Sequence, residues 1–299
     1  MNIFGKIRVT YLYSISSQFV PKHENVSEEH IKALRSFIDN AQNILVLTGA
    51  GISTESGIPD YRSENVGLYQ KRNYKPIQHQ EFCSSFKIRQ RYWARNYIGW
   101  YNFSRCQPNS THFFLRDLEL VHNKVTSLVT QNVDNLHYKA GSKKVIELHG
   151  TAYQVICLNC KANFDRHSIQ KKLEYQNPLF KENTDVLRPD GDVEIKTESL
   201  SSFIPPTCDY CGGILKPNIV FFGDNVPRQQ VNLVRDKVSE SDSLLILGST
   251  VQVFSSYRIV LQALEENKKI AMVNIGPTRA DEQVKLKISA RCGEILPLL

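Results

Sequence analysis

No apolar run in the 299-residue sequence approaches the roughly 20 residues that a helix needs to cross a bilayer, so no helical membrane span and no membrane partner are expected. No dense cluster of Lys or Arg occurs either. Net charge is +7, but the basic residues are scattered. That pattern suits an anionic ligand such as a pyrophosphate and argues against a nucleic-acid partner. Internal repeats and low-complexity tracts are absent. With 41% hydrophobic and 22% charged residues, the chain can bury one large core, or a large domain carrying a smaller one. Acidic residues are missing before Glu24, where Lys6, Arg8 and Lys22 stand among serines and large apolar side chains. This composition resembles a mitochondrial transit peptide. Residues 1–25 are therefore expected to lie outside the fold, and the mature protein to reside in the mitochondrial matrix.

An even cysteine set is also lacking. The seven cysteines are Cys83, Cys106, Cys157, Cys160, Cys208, Cys211 and Cys292, and an odd count of this kind is a poor disulfide framework. Four of them form two C-x-x-C pairs, Cys157/Cys160 and Cys208/Cys211. Four thiolates satisfy tetrahedral Zn²⁺ with no open position, the mark of a structural site. Gly212 and Gly213 after the second pair suit a tight knuckle. A redox C-x-x-C would appear once, at a helix N-terminus. The 47 residues between the pairs (161–207) exceed the usual ribbon spacing. No Lys/Arg cluster flanks either pair, which disfavours a zinc-ribbon nucleic-acid binder.

Ser27, Glu28 and Glu29 form an N-cap with acids in the first turn, and Ile31, Leu34, Phe37 and Ile38 recur at helical spacing. Five short apolar runs follow at 43–49, 124–130, 144–148, 243–247 and 269–273. Helical patterns lie before or between several of them, which implies a parallel sheet covered on both faces. The runs end in Thr48-Gly49-Ala50-Gly51, Gln131-Asn132-Val133-Asp134, His149-Gly150, Gly248-Ser249-Thr250 and Asn274-Ile275-Gly276. Small or polar residues at that one edge mark a ligand site, because open α/β sheets bind ligands at the carboxyl ends of their strands. Two stretches break the rhythm. Residues 66–112 carry Tyr69, Tyr74, Tyr92, Trp93, Tyr97, Trp100 and Tyr101 and read as inserted helices. Residues 151–216 hold both cysteine pairs.

Gly49-Ala50-Gly51 after a buried strand suits a dinucleotide pyrophosphate lying on backbone N–H groups. The dehydrogenase fingerprint, however, needs a third glycine where Thr54 stands, and no second strand with a terminal acid follows. The longer string GAGISTESGIPDYRS, with the QNVD, ELHG, GST and NIG strand ends, resembles the sirtuins from about residue 28 to 299. It is most similar to their class II mitochondrial sirtuin-four type, as are Tyr61 and the PDGDV and NIGPTR segments at 189–193 and 274–279.

The resemblance implies a Rossmann-like doubly wound α/β domain (26–65, 113–150, 217–299), with an inserted helical module (66–112) and a small zinc module (151–216). NAD⁺ would lie between them as co-substrate. Pyrophosphate binding and a cap on the nicotinamide are implied for Gly49, Ala50, Gly51, Ile52, Ser53, Thr54, Glu55, Ser56, Gly57, Ile58, Pro59, Asp60, Tyr61, Arg62 and Tyr69. Ala50, Ile58, Val133 and Asp134 would line the nicotinamide pocket, and Gln131 and Asn132 would contact the ribose. Gly248, Ser249, Thr250, Asn274, Ile275, Gly276 and Cys292 complete the cofactor set toward the adenosine end. His149 would be the general base, with Asn132 and Asp134 in the catalytic set. Its ordinary pKa near 6.5 suits that role. Val220, Phe221, Phe222, Gly223 and Val251 would clamp an acyl-lysine peptide as an added strand.

Tyr92 and Arg95, three apart on a helix, share a face and would read an acidic acyl group. The loop at 181–200 is expected to reach the acyl pocket. The implied activity is NAD⁺-dependent removal of lysine acyl groups beyond acetyl (lipoyl, biotinyl or branched dicarboxylic) from mitochondrial metabolic enzymes, releasing nicotinamide and O-acyl-ADP-ribose. Protein mono-ADP-ribosylation at the same site is the alternative. A non-catalytic NAD or ADP-ribose sensor with a zinc module is a second.

Overall fold

The computed structural model describes residues 18–23, 25–70, 76–182, 188–195 and 197–299. Of the transit-type segment 1–25, residues 1–17 and Glu24 lie outside the described residues, as do Tyr74 and, in the 181–200 loop, residues 183–187 and Lys196. Residues 20–23, expected outside the fold, instead line its cleft, with His23 on Glu294.

The Ser27 hydroxyl accepts the His30 amide at 3.2 Å and opens helix α1 (Glu28–Asn40). This helix buries Leu34 and Ile38 beneath strand β1 (Ile44–Thr48). The chain then forms helices α2 (His79–Ser84), α3 (Phe86–Arg105) and α4 (Ser110–Leu120), and strand β2 (Val125–Thr130). Helix α5 (Leu136–Ala140) leads to β3 (Val145–Glu147). A second sheet follows, built from β4 (Gly150–Cys157), β5 (Asn163–Asp165) and, after helix α6 (Arg166–Gln176), β6 (Leu215–Ile219). Helix α7 (Arg228–Glu240), β7 (Ser243–Leu247), α8 (Phe254–Glu265), β8 (Lys269–Val273), β9 (Leu286–Ile288) and α9 (Cys292–Ile295) complete the chain.

The main sheet is parallel, in the order β3-β2-β1-β7-β8-β9. All five expected strands are present. β9 is a sixth, with only three residues and no apolar run to announce it. Alternation along β1 feeds two cores. Ile44 and Val46 meet Leu34, Leu115 and Leu118 on one face. Leu45 and Leu47 meet Val234, Val238, Ile259 and Val260 of α7 and α8 on the other. Such two-sided burial is why these strands read as continuous apolar runs. Because α4 starts at Ser110 and packs on the sheet, the inserted helical module ends before residue 112.

The second sheet is antiparallel, in the order β5-β4-β6. Its core joins the zinc module to α3: the Trp93 indole donates to the Leu215 carbonyl at 3.1 Å. Arg166, fully buried, packs its guanidinium over Trp100 and bonds Asn96 at 2.9 Å. Between the two sheets runs the short link Leu148-His149. Gly150 follows at φ +77°, and a Cβ there would lie 2.0 Å from the Asn218 carbonyl oxygen. Only glycine fits that turn. The link thus fixes His149 at the seam of both sheets.

Candidate active site

The carboxyl ends of β1, β2, β3, β7 and β8 open onto one cleft of about 2550 Å³. Glycine 51 donates its amide to the Gly248 carbonyl at 2.9 Å. A Cβ on Gly51 would stand 2.9 Å from the Gly248 Cα, and one on Gly248 (φ +56°) 2.5 Å from the Ile52 amide nitrogen. The glycines therefore let two strand-end loops touch.

His149 sits at the floor of this cleft. Its Nδ1 lies 3.1 Å from the Gln131 carbonyl oxygen, so Nδ1 carries the proton and donates. Nε2 then accepts from the Ser255 hydroxyl at 2.8 Å. Burial holds the His149 pKa below its ordinary value, and the Gln131 carbonyl offsets this in part. A neutral imidazole with its Nε2 lone pair toward the cleft is the form a general base requires.

Around it the polar residues hold one another. The Asn132 amide donates to the Gly49 carbonyl and to Ser53 Oγ, both at 3.1 Å. The Ser53 hydroxyl donates to Asp134 Oδ2 at 2.6 Å, and Asp134 Oδ1 accepts the Leu136 amide. Burial raises the Asp134 carboxyl, against those two hydrogen bonds. Gln131 Nε2 donates to Ser249 Oγ at 2.7 Å and ties β2 to β7. Neighbouring Glu147 is pushed up to about 7, chiefly by burial. A satisfied network of this kind fixes side chains before any ligand arrives.

Most of the expected cofactor residues line the cleft: Gly49, Ala50, Gly51, Ser53, Thr54, Ile58, Asp60, Tyr61, Arg62, Tyr69, the 131–134 and 248–250 segments, Asn274, Ile275, Gly276 and Cys292. Ile52, Glu55, Ser56, Gly57 and Pro59 do not, and neither does Val251, expected at the substrate. Ile52 is core. Glu55 is buried against Arg291 at 3.2 Å and accepts the Gly293 amide. Ser56 Oγ receives Asn109 Nδ2, and Gly57 closes the 50–56 turn at φ +84°. Val251 is buried at φ +45°, a conformation that strains a β-branched residue.

Val220, Phe221, Phe222 and Gly223 line the cleft just beyond β6. The Val220 amide donates to the His149 carbonyl at 2.9 Å, and Phe222 pairs with Gln78 in a parallel bridge. Tyr92 and Arg95 both reach the cleft wall. Tyr92 packs edge-on against Phe82 and Phe221. Arg95 is already paired: Nη2 lies 2.8 Å from Asp192 Oδ2, and Nε donates to the Val193 carbonyl. Arg188 meets the same Asp192 oxygen at 2.7 Å. The loop around 188–193 thus enters the cleft, and Gly99 lets it seat on α3. Sequence reasoning missed Ser255 and residues 20–23, which also line the cleft. No motif marks either; Ser255 follows the expected Val251 by only four positions.

Cys157, Cys160, Cys208 and Cys211 bring their sulfurs within 4.8 Å of one another, with Cys157–Cys211 at 3.5 Å and Cys160–Cys208 at 3.6 Å. Tetrahedral Zn–S bonds of about 2.3 Å need sulfurs about 3.8 Å apart. A Cβ on Gly213 would stand 3.0 Å from Cys157 Sγ and 3.1 Å from Cys211 Sγ, so glycine keeps the cradle open. The four thiols fit a closed structural zinc site.

Residues 49–255 match the Sir2 family. The chain belongs to the sirtuins. This sirtuin is 53% identical to "NAD-dependent protein deacylase Sirt4" of Drosophila melanogaster, over 98% of its own length and 95% of the relative's. It is 50% identical to "NAD-dependent protein lipoamidase sirtuin-4, mitochondrial" of Homo sapiens, over 94% and 89%. Among solved structures it is similar to "Sir2-p53 peptide-NAD+", with a TM-score of 0.70, 30% identity, and coverage of 89% of this chain and 95% of that one. The sirtuin fold accounts for both sheets: a Rossmann-like parallel sheet, and a small sheet whose cysteines cluster where a structural zinc binds.

Proposed function

We propose that this sirtuin consumes NAD⁺ to strip acyl groups larger than acetyl, lipoyl among them, from lysines of mitochondrial matrix proteins. The observation that carries the reading is the neutral His149 imidazole, aimed from a strand end into a cleft that also holds Asn132, Asp134 and the glycine turn. Relatives named as NAD-dependent deacylases and lipoamidases, the human and bovine ones also as mitochondrial, support it.

Bound NAD⁺ supplies a ribose carbon that becomes electrophilic as nicotinamide leaves. The protein's part is orientation and proton transfer. The tight 49–51 turn lets the pyrophosphate approach the backbone closely, while its Gly49 and Gly51 amides are held by the Leu247 and Gly248 carbonyls. Gln131 and Asn132 hold the ribose, and Asp134 with Val133 and Ile58 forms the nicotinamide pocket. His149 Nε2 takes a hydroxyl proton at the position where Ser255 Oγ now donates. Residues 220–223 present backbone to the acyl-lysine peptide. The acyl oxygen bonds the ribose carbon that nicotinamide vacates, and with one water consumed the products are free lysine, nicotinamide and O-acyl-ADP-ribose.

Mass spectrometry of products across acetyl-, lipoyl-, biotinyl- and glutaryl-type lysine peptides with NAD⁺ tests this. The expected result is O-acyl-ADP-ribose in step with nicotinamide, fastest with a longer acyl group. ADP-ribose appearing on protein without loss of acyl groups assigns the site to ADP-ribosyl transfer instead. No nicotinamide release from any mixture assigns it to a non-catalytic sensor.

A further inference from the structure

Residues 20–23 precede the expected start of the fold, yet Val20, Pro21, Lys22 and His23 line the same cleft as Ala290, Arg291 and Cys292. His23 anchors them. Its Nδ1 lies 3.1 Å from the Pro21 carbonyl, which bends the segment back on itself. Its Nε2 lies 3.0 Å from Glu294 Oε2 on α9, with the two side chains 18% and 25% exposed. A pair that open to solvent sets position more than it adds stability. The anchor does not end at Glu294. The same carboxylate stands 3.9 Å from Arg291 Nε, and Arg291 meets Glu55, whose other oxygen accepts the Gly293 amide. Glu55 belongs to the turn over 50–56. The segment is thus tied by side-chain contacts to the loop at the pyrophosphate position.

Val20 and Pro21 are only half-buried although they face a cavity. Apolar surface on a cleft wall is what a flat, weakly polar ring system covers on binding. The His23–Glu294 contact places Val20 and Pro21 next to α9, the short helix that begins at Cys292.

We infer that residues 20–23 form a strap that walls the purine end of the dinucleotide site, with Val20 and Pro21 against the base and the His23–Glu294 pair as the clasp. The inference rests on the NAD⁺ reading above.

The test uses the full chain, its variant combining Val20→Ser with Pro21→Ser, and a chain beginning at residue 24. ADP-ribose and nicotinamide mononucleotide are titrated into each by calorimetry, and KM is measured for NAD⁺ and for an acyl peptide. ADP-ribose affinity should fall about fivefold in both altered proteins, the worth of a small apolar contact. Affinity for nicotinamide mononucleotide, which has no purine, should hold, and KM should rise for NAD⁺ but not for peptide. Equal ADP-ribose affinity in the full chain and the double variant overturns the strap. So does an equal loss for both probes, which would mark a general structural defect. Failure of the unaltered full chain to bind ADP-ribose removes the NAD⁺ reading and the strap with it.

Discussion

At the scale of single residues, the site turns on one proton. The Gln131 carbonyl can only accept, so it assigns the His149 proton to Nδ1 and leaves Nε2 basic. His149→Tyr is expected to reduce nicotinamide release by at least about a hundredfold, the lower bound of general-base catalysis. Thermal unfolding and zinc content should stay near those of the parent. Turnover within a few-fold of the parent would take His149 out of the chemistry. Arg95 poses a different question. It reaches the cleft wall, but Asp192 occupies its guanidinium, and burial raises the Asp192 carboxyl well above its usual range. An acidic acyl group would have to join or displace that carboxylate. If it does, Arg95→Met should lower the ratio of glutaryl-type to acetyl turnover, read as a ratio of kcat/KM values. An unchanged ratio leaves Arg95 as the holder of the 188–193 loop.

Elements carry the coupling between the zinc module and the base. β4 begins at Gly150, one residue after His149, and β4 ends at the ligand Cys157. The Val220 amide, one residue past β6, bonds the His149 carbonyl. Losing the metal should therefore loosen both strands that flank the link. Cys208→Ser is expected to abolish zinc binding, measured by metal analysis, and turnover with it. The six-stranded sheet should keep its helical and strand circular dichroism, because its two cores draw nothing from Cys157, Cys160, Cys208 or Cys211. Full turnover in the zinc-free variant would uncouple the module from catalysis. These elements were not equally legible in the sequence. β1, β2, β3, β7 and β8 are visible because burial on both faces makes them apolar throughout or nearly so. β9 has three residues and one fully buried side chain, Ile288. β5 alternates exposed and half-buried residues and pairs only with β4. The glycine turn and the cysteine pairs were legible because backbone geometry and metal ligation dictate residue type. Ser255 and residues 20–23 were not, because a serine on a helix and an apolar tail acquire their meaning only from what tertiary packing sets opposite them.

The whole molecule responds to acid through histidines buried far from solvent. Burial holds His137 down to about 3, and it lowers His112 strongly, with the His137 ring 4.9 Å away adding to the shift. Above about pH 6.5 both rings are neutral in the folded and unfolded chains alike, and neither affects stability. Below it, the unfolded chain takes up protons that the fold refuses. Stability falls as pH falls, and the loss continues until the folded His137 also titrates, at about 3. Glu147 acts in the opposite sense. Its carboxyl, pushed up to about 7, keeps a proton in the fold that the unfolded chain has released, so its contribution is present at low pH and fades as pH rises through 7. Between pH 6 and 4.5 the effect of His137 should amount to about 1.4 kcal/mol per pH unit, with His112 acting in the same direction. Urea unfolding across that range, in the parent and in His137→Gln, isolates one ring from the carboxylates common to both. The stability of the parent relative to the variant should fall steadily as pH falls. Parallel curves would mean that His137 gains its proton without unfolding, through water admitted between α4 and α5.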